Sequence, residues 1–270
     1  MGCLNSGEAS YWFGNIHLSG PCNRSCYFCI GQHMMALDKL NVLDTWPLPG
    51  LDDFVERCHH HDVKQVNLTG TNTDPLLYRH LTDYALWMRL KMPGVSLGLR
   101  TNGVANKKAI GLFDRVSLTI CSLNPATYRE MMGQGDPPDL AAYVAHTDLK
   151  VNVVMGPENW QELPGLVAQC EAAGVRRMNL REPYGQPHVG NPMEYCPVVG
   201  EVYGMPTYQI GNLLVTYWDV HWCEVESVNL YADGRISEEY GITKGCSPEG
   251  IVMDQTHFIH GRQREQWVTT

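Results

Sequence analysis

Cys22, Cys26 and Cys29 fall within eight residues, in the stretch GPCNRSCYFC. Thiolates this dense suit soft metals, either an iron–sulfur cluster or zinc. A disulfide between such close neighbours closes a tiny, strained loop. A structural zinc site calls for four closed ligands, often as two C-x2-C pairs, and no second pair occurs. The other seven cysteines, Cys3, Cys58, Cys121, Cys170, Cys196, Cys223 and Cys246, are isolated from one another. A cubic cluster has four irons, so three cysteines leave one iron open to an outside molecule.

The elements around these cysteines alternate between strand and helix patterns, the mark of a parallel α/β sheet. Phe13–Ser19 reads as a strand ending just before the cysteine loop, residues 20–30. Further strands are expected at Val63–Leu68, Val95–Leu99, Arg115–Cys121, Leu149–Met155 and Val175–Leu180. Helices are expected at Leu51–His60, Leu76–Leu90 and Glu162–Ala173, with another opened by Asn124-Pro125, proline being suited to an early helical position. Six β/α units fall short of the eight of a closed TIM barrel. The expected fold is α/β: a partial (β/α)6 TIM-like barrel over residues 1–184, its open side closed by a C-terminal α+β tail, residues 185–270. Strands are expected in that tail at Leu213–Tyr217 and Val228–Tyr231, the second leading into the turn Ala232-Asp233-Gly234.

The spacing C-x3-C-x2-C with Phe28 before the last cysteine resembles the signature of the radical S-adenosylmethionine (SAM) enzymes. Two further motifs follow in the family's order. The turn TGTNTDP after the second strand is similar to the family's Gly-Gly-Glu-Pro, here Asn72-Thr73-Asp74-Pro75, with both glycines lost and Glu shortened to Asp. The third strand ends in Thr101-Asn102-Gly103, the family's usual ending there, and SLTICSLNPATYREMMG resembles the fourth strand and its following helix. The resemblance covers about residues 13–182.

It implies a [4Fe-4S] cluster on Cys22, Cys26 and Cys29, whose open iron chelates SAM. A one-electron reductant such as flavodoxin or ferredoxin would drive cleavage to methionine and a 5′-deoxyadenosyl radical, which abstracts hydrogen from a substrate. For SAM it implicates Phe28, as a surface for adenine, with Asn72, Thr73, Asp74, Asn102, Ser122, Asn152 and Asn179. Arg181 and Glu182 end the sixth strand and are candidates for the adenine edge or the substrate. With Tyr184, Tyr217, Asp219, His221 and Glu224 they are the polar and aromatic groups expected to hold a substrate.

VNLYADGRISEEYG resembles the tail of molybdopterin-precursor cyclases and of the peptide-modifying SPASM group. Where those place a cysteine, this chain has Ser237 and Glu238. Cys196, Cys223 and Cys246 lack the clustered spacing of an auxiliary site and read as buried free thiols. The favoured function is modification or rearrangement of a small molecule or modified nucleotide. A peptide-modifying enzyme is an alternative, though only about twelve residues precede the first strand where a leader-binding domain would be expected. A glycyl-radical activase and a non-enzymatic metal-binding module are the others.

Composition narrows the field. The net charge of −9, from 20 basic and 29 acidic residues, argues against broad nucleic-acid binding, which needs clustered Lys and Arg. No run of about eighteen apolar residues is present, so no membrane-spanning helix is expected. Ten cysteines without a secretory signal point to a reducing, cytoplasmic setting.

Overall fold

A computed structural model describes residues 12–33, 40–145, 148–183, 189–219 and 225–239. Six parallel strands lie side by side in sequence order: β1 (Phe13–Leu18), β2 (Gln65–Gly70), β3 (Ser96–Thr101), β4 (Arg115–Thr119), β5 (Asp148–Val154) and β6 (Arg177–Arg181). Helices α1 (Leu51–His60), α2 (Leu81–Lys91), α3 (Pro125–Met132), α4 (Leu140–Val144) and α5 (Leu163–Ala172) run between or after them.

The strands alternate strictly. Val66, Leu68, Leu97, Leu99, Val116, Leu118, Val151, Val153, Met178 and Leu180 are buried in the main apolar core with the helices. α1 meets that core through Leu51, Phe54, Val55 and Cys58, the i, i+3, i+4, i+7 stripe of an amphipathic helix. The intervening strand residues are largely polar and turn into the curl of the sheet. Strands of a barrel packed solid carry branched apolar residues inward as well. This interior is polar instead, which leaves a lumen.

The tail adds strands to both edges of that sheet. β7 (Val198–Val202) and β8 (Met205–Ile210) form a hairpin whose turn residues Tyr203 and Gly204 have φ of 52° and 76°. Paired positive φ values are what a two-residue type I′ turn requires. β8 pairs antiparallel with β9 (Leu213–Trp218), and β9 pairs parallel with β6. At the other edge β10 (Ser227–Leu230) lies parallel to β1 and pairs with the short β11 (Ile236–Ser237). The result is an open eleven-stranded sheet, ordered β11-β10-β1-β2-β3-β4-β5-β6-β9-β8-β7, with the partial-barrel architecture expected from the sequence. The Tyr203 ring reaches across to Phe13 of β1, 5.9 Å between centroids, so the hairpin covers the gap between the two edges. All described tail elements are strands.

One expected element differs in detail, and α4, β7 and β8 were not anticipated from the sequence. The helix read from Leu76 starts at Leu81, because Asp74 caps a separate 3-10 turn over Pro75–Leu77 and Tyr78 is extended. α4 escapes periodicity because it has only five residues, capped by Asp139. β7 and β8 lie in a Gly- and Pro-rich stretch whose pattern is weak.

Candidate active site at the strand ends

The C-terminal ends of β1 to β6 surround a cavity of about 230 Å³. Cys22, Cys26 and Cys29 all line it, with Phe28 and Arg24 from the same loop. β1 contributes His17, β2 Thr69, β3 Arg100 and Thr101, β4 Thr119, β5 Asn152 and Val154, and β6 Arg181, followed by Glu182.

The cysteine loop is tied down from three sides. Thr73 Oγ1 donates to Pro21 O (2.7 Å), and Asn72 Oδ1 accepts from Ser19 Oγ (2.8 Å) and Gly20 N (3.1 Å). Asn102 Nδ2 donates to Asn23 Oδ1 at 2.8 Å. From the end of α3, Met132 O accepts from Ser25 N (3.3 Å), while the Cys26 thiol lies 3.6 Å from Met132 Sδ. Gly31 follows the last cysteine against the β2 turn, so close that a Cβ there would stand 2.6 Å from Thr71 O.

Asp74 joins two of the expected motifs. It is 3% exposed, and its carboxylate accepts from Leu76 N (2.9 Å), Thr101 Oγ1 (2.8 Å) and Asn102 N (2.6 Å). Burial raises its pKa, and the hydrogen bonds of Asn102 and Thr101 pull the other way. Burial likewise raises the Cys22 thiol and lifts Cys26 to about 12; the charge of Cys29 adds to both, and that of Cys22 to Cys26. Thiolates here therefore need a cation to hold them ionised. Among the described residues no three His, Cys, Asp or Glu converge as ligands of a single ion would.

The residues named from the sequence separate into groups. Cys22, Cys26, Cys29, Phe28, Thr73, Asp74, Asn102, Asn152, Arg181 and Glu182 line the cavity. Phe28 is packed on Cys121, Tyr128, Met131 and Met132. Asn72 lies off the cavity, its side chain taken by Ser19 and Gly20. Ser122 is drawn away by Glu162, to whose Oε2 it donates, while Asn124 Nδ2 and Thr127 Oγ1 donate to Oε1 of the same carboxylate. Asn179 faces a second space deeper in the lumen. Tyr217 donates to Glu182 Oε1 at 2.7 Å, and Glu182 also accepts from Val189 N and Gly190 N, so the pair bridges β6 and β9. Asp219 is buried, its N–H directed at Met205 Sδ. Cys196 is half-buried and free, packed against the core. Tyr184, His221, Glu224, Cys223 and Cys246 lie outside the described residues.

Sequence reasoning missed His17, Thr69, Arg100, Thr119 and Lys150. The signal was present in QVNLT, SLGLR, RVSLT, KVNVV and RMNLR, which alternate although parallel strands buried on both faces read as continuous apolar runs.

The deeper space has a volume of about 190 Å³ and shares Arg100, Asn152 and Arg181 with the upper cavity. Arg115, Lys150 and Arg177 also line it, and no carboxylate does among the described residues. Lys150 is held down to about 7, first by burial and then by Arg100, Arg177, Arg181 and Arg115. No described helix is long and apolar enough to cross a membrane.

No family model matches the chain. It is 27% identical over 181 residues to a GTP 3′,8-cyclase of Caulobacter vibrioides, covering 59% of this chain and 48% of that protein. A probable GTP 3′,8-cyclase of Sulfolobus acidocaldarius is 23% identical over 260 residues, covering 82% of this chain and 78% of that one. The chain spans about half the length of the first of these relatives. Among solved structures it superposes on Streptococcus suis SuiB bound to the precursor peptide SuiA with a TM-score of 0.62 and 12% identity, over 89% of this chain and 62% of SuiB. That likeness is one of fold.

Proposed function

We propose, from the premise that this chain belongs to the radical SAM superfamily, that it is an enzyme using a [4Fe-4S] cluster and SAM to abstract hydrogen from a small-molecule or nucleotide-like substrate. The observation that carries the reading is that Cys22, Cys26 and Cys29 open onto the same cavity as the turn after β2 and the Thr101-Asn102 end of β3. Those three elements also hold one another in place through Asn23, Thr73, Asp74 and Asn102. When bound, the cluster supplies the electron that cleaves SAM to methionine and a 5′-deoxyadenosyl radical.

The chain's own residues position and shield. The three thiolates hold the cluster, and its charge offsets the cost of ionising thiols that burial keeps neutral. Backbone groups of the Thr71–Asp74 turn are fixed by side-chain ties to Leu18 and Pro21, which leaves the turn's edge set towards the cavity. Phe28 offers an apolar surface to a flat ring. The Tyr203 hairpin beside Phe13 limits water entry into the lumen, where a radical must be protected from side reactions. A substrate akin to a nucleotide draws support from the relatives named for GTP cyclisation. An external one-electron donor of the flavodoxin or ferredoxin kind completes the scheme, in a reducing cytoplasmic setting.

The test is anaerobic reconstitution. Wild-type protein is expected to bind about four irons per chain, show a brown chromophore and cleave SAM when reduced. Changing any one of Cys22, Cys26 or Cys29 to Ala is expected to abolish both. A triple-alanine variant that kept the chromophore and cleaved SAM would sink the assignment.

A further inference from the structure

Two neighbouring amides inside the barrel are idle. Asn152 of β5 and Asn179 of β6 are register partners, on strands about 4.8 Å apart. Both side chains line the deeper space. Asn152 is 4% and Asn179 9% exposed. Asn152 Oδ1 is fully enclosed and has no hydrogen-bond partner among the described residues. The Asn179 amide makes no side-chain hydrogen bond there either.

The same sheet shows what such a pair does when it only holds strands together. Asn15 of β1 and Asn67 of β2 are also register partners. Asn67 Nδ2 donates to Asn15 Oδ1 (3.3 Å), Asn15 Nδ2 to Asn229 Oδ1 (2.9 Å), and Gln65 Nε2 to Asn67 Oδ1 (2.8 Å). An enclosed amide without partners costs free energy, and folded interiors rarely keep one. Strand geometry lets Asn15 and Asn67 satisfy each other. Asn152 and Asn179 stand in the same relation and do not use it.

The surroundings suit a flat ring. Phe13, Tyr203 and Trp218 line the same space. The Tyr203 ring lies 5.9 Å from that of Phe13 and 6.1 Å from that of Trp218. Trp218 Nε1 is a second enclosed polar atom without a partner among the described residues. The arginines on this lining donate hydrogen bonds and cannot accept one, so a ligand N–H needs an acceptor such as Asn152 Oδ1. Asn152 also borders the upper cavity that the three cysteines line. A ligand held by it therefore lies next to the SAM side.

Resting on the radical SAM reading, we propose that Asn152 and Asn179 read the substrate, and that the group they read is the donor–acceptor edge of a flat heterocycle, a nucleobase. One amide accepts from the ring's N–H, the other donates to the acceptor beside it, and the ring lies among the three aromatic side chains. The two asparagines then serve the substrate and not SAM, to which their strand positions had pointed.

Calorimetric titration of the reconstituted protein tests this, with SAM saturating so that its own site is filled. The probes are inosine, uridine, adenosine and cytidine, each beside a form whose edge is blocked by methylation: 1-methylinosine, 3-methyluridine, N6,N6-dimethyladenosine and N4,N4-dimethylcytidine. At least one nucleoside is expected to bind saturably and at least tenfold tighter than its blocked form, and the tightest identifies the edge. No saturable binding, or blocked forms that bind equally well, overturns the proposal. In Asn152→Leu and Asn179→Leu that preference is expected to shrink to within threefold while SAM affinity stays within threefold of wild type. A preference that survives both changes overturns the assignment, as does a tenfold loss of SAM affinity with the preference intact. Should either variant fail to fold, the comparison with blocked nucleosides needs only wild-type protein and decides alone. SAM cleavage is measured on the same preparation. Cleavage without nucleoside binding defeats the reading site alone, and edge-dependent binding without cleavage defeats the radical SAM reading alone.

Discussion

The backbone N–H of Asn102 donates to Asp74 Oδ2 at 2.6 Å, so the turn after β2 and the end of β3 share one buried carboxylate. Thr101 Oγ1 and Leu76 N donate to the same group. The aspartate, shorter than the family's usual glutamate, therefore reads as a fastener between two motifs rather than as a ligand-facing acid.

Asp74→Ala should leave three buried donors without their acceptor. At about 1–3 kcal/mol for each unsatisfied group, partly relieved by water, we expect a loss of about 3 kcal/mol in denaturant unfolding. Asp74→Asn keeps one acceptor oxygen and should lose about half as much. SAM affinity is expected to fall in both, because Asn102 and Asn23 shift together. A stable Asp74→Ala protein with unchanged SAM affinity would refute the fastening role.

Gly31→Ala probes the seat of the cysteine loop. Its Cβ would stand 2.6 Å from Thr71 O and 2.7 Å from Asn72 Cα, both backbone atoms that cannot swing aside. Overpacking of this kind costs about 1–3 kcal/mol. Because the strain falls between the loop and the β2 turn, iron content after reconstitution should drop by half or more while the far-ultraviolet circular dichroism is unchanged. Wild-type iron loading in this variant would show that the loop tolerates displacement.

Glu162 gathers Ser122, Asn124 and Thr127 at the start of α3. The other end of α3 touches Cys26 through Met132. Ser122→Ala and Glu162→Gln are each expected to cost about 1 kcal/mol, and the double variant less than their sum, as for partners in one network. Calorimetry should find SAM affinity within threefold of wild type in Ser122→Ala. A tenfold loss there, with stability intact, would return Ser122 to the ligand.

The sequence disclosed the scaffold of the site better than its contents. α1 was legible to the residue because Leu51, Phe54, Val55 and Cys58 keep helical period and Gly50 supplies a positive-φ start. The cysteine loop was legible because ligand spacing is local. Ser122 was not, since its partner Glu162 lies forty residues on and nothing local marks it. Asn72 looked like a SAM contact by motif position, but its side chain is taken by Ser19, a partner only the β1–β2 pairing supplies. The basic residues lining the deeper space were written in the alternation of the parallel strands. Reading those strands for parity as well as hydrophobicity would have exposed Arg100 and Lys150. The Asn15–Asn229 hydrogen bond was less accessible, because the two meet only when β10 of the tail pairs with β1.

His17 carries a pH signature of its own. Its ring stacks on Tyr231 at 5.0 Å, and Nε2 lies 3.3 Å from Asn229 Oδ1. Burial and then the charge of Arg100 hold its pKa down to about 4, against the favourable bond to Asn229. Among the described residues the other charged side chains around this cavity are Arg24, Arg181, Asp74 and Glu182. Between pH 4 and 6.5 the unfolded chain binds a proton at this histidine and the folded chain does not. Its contribution to stability is therefore full above about pH 6.5 and is lost as pH falls through about 4. Allowing for solvent in the cavity, the loss is on the order of 2 kcal/mol. His17→Gln retains an amide that can bond Asn229 but cannot titrate. Urea unfolding from pH 4 to 7 should give a wild-type curve that rises with pH across this window and a flatter one for the variant. Parallel curves would mean that His17 is charged in the folded protein, and with it that the space beside Arg100 is wetter than the packing of Tyr231 implies.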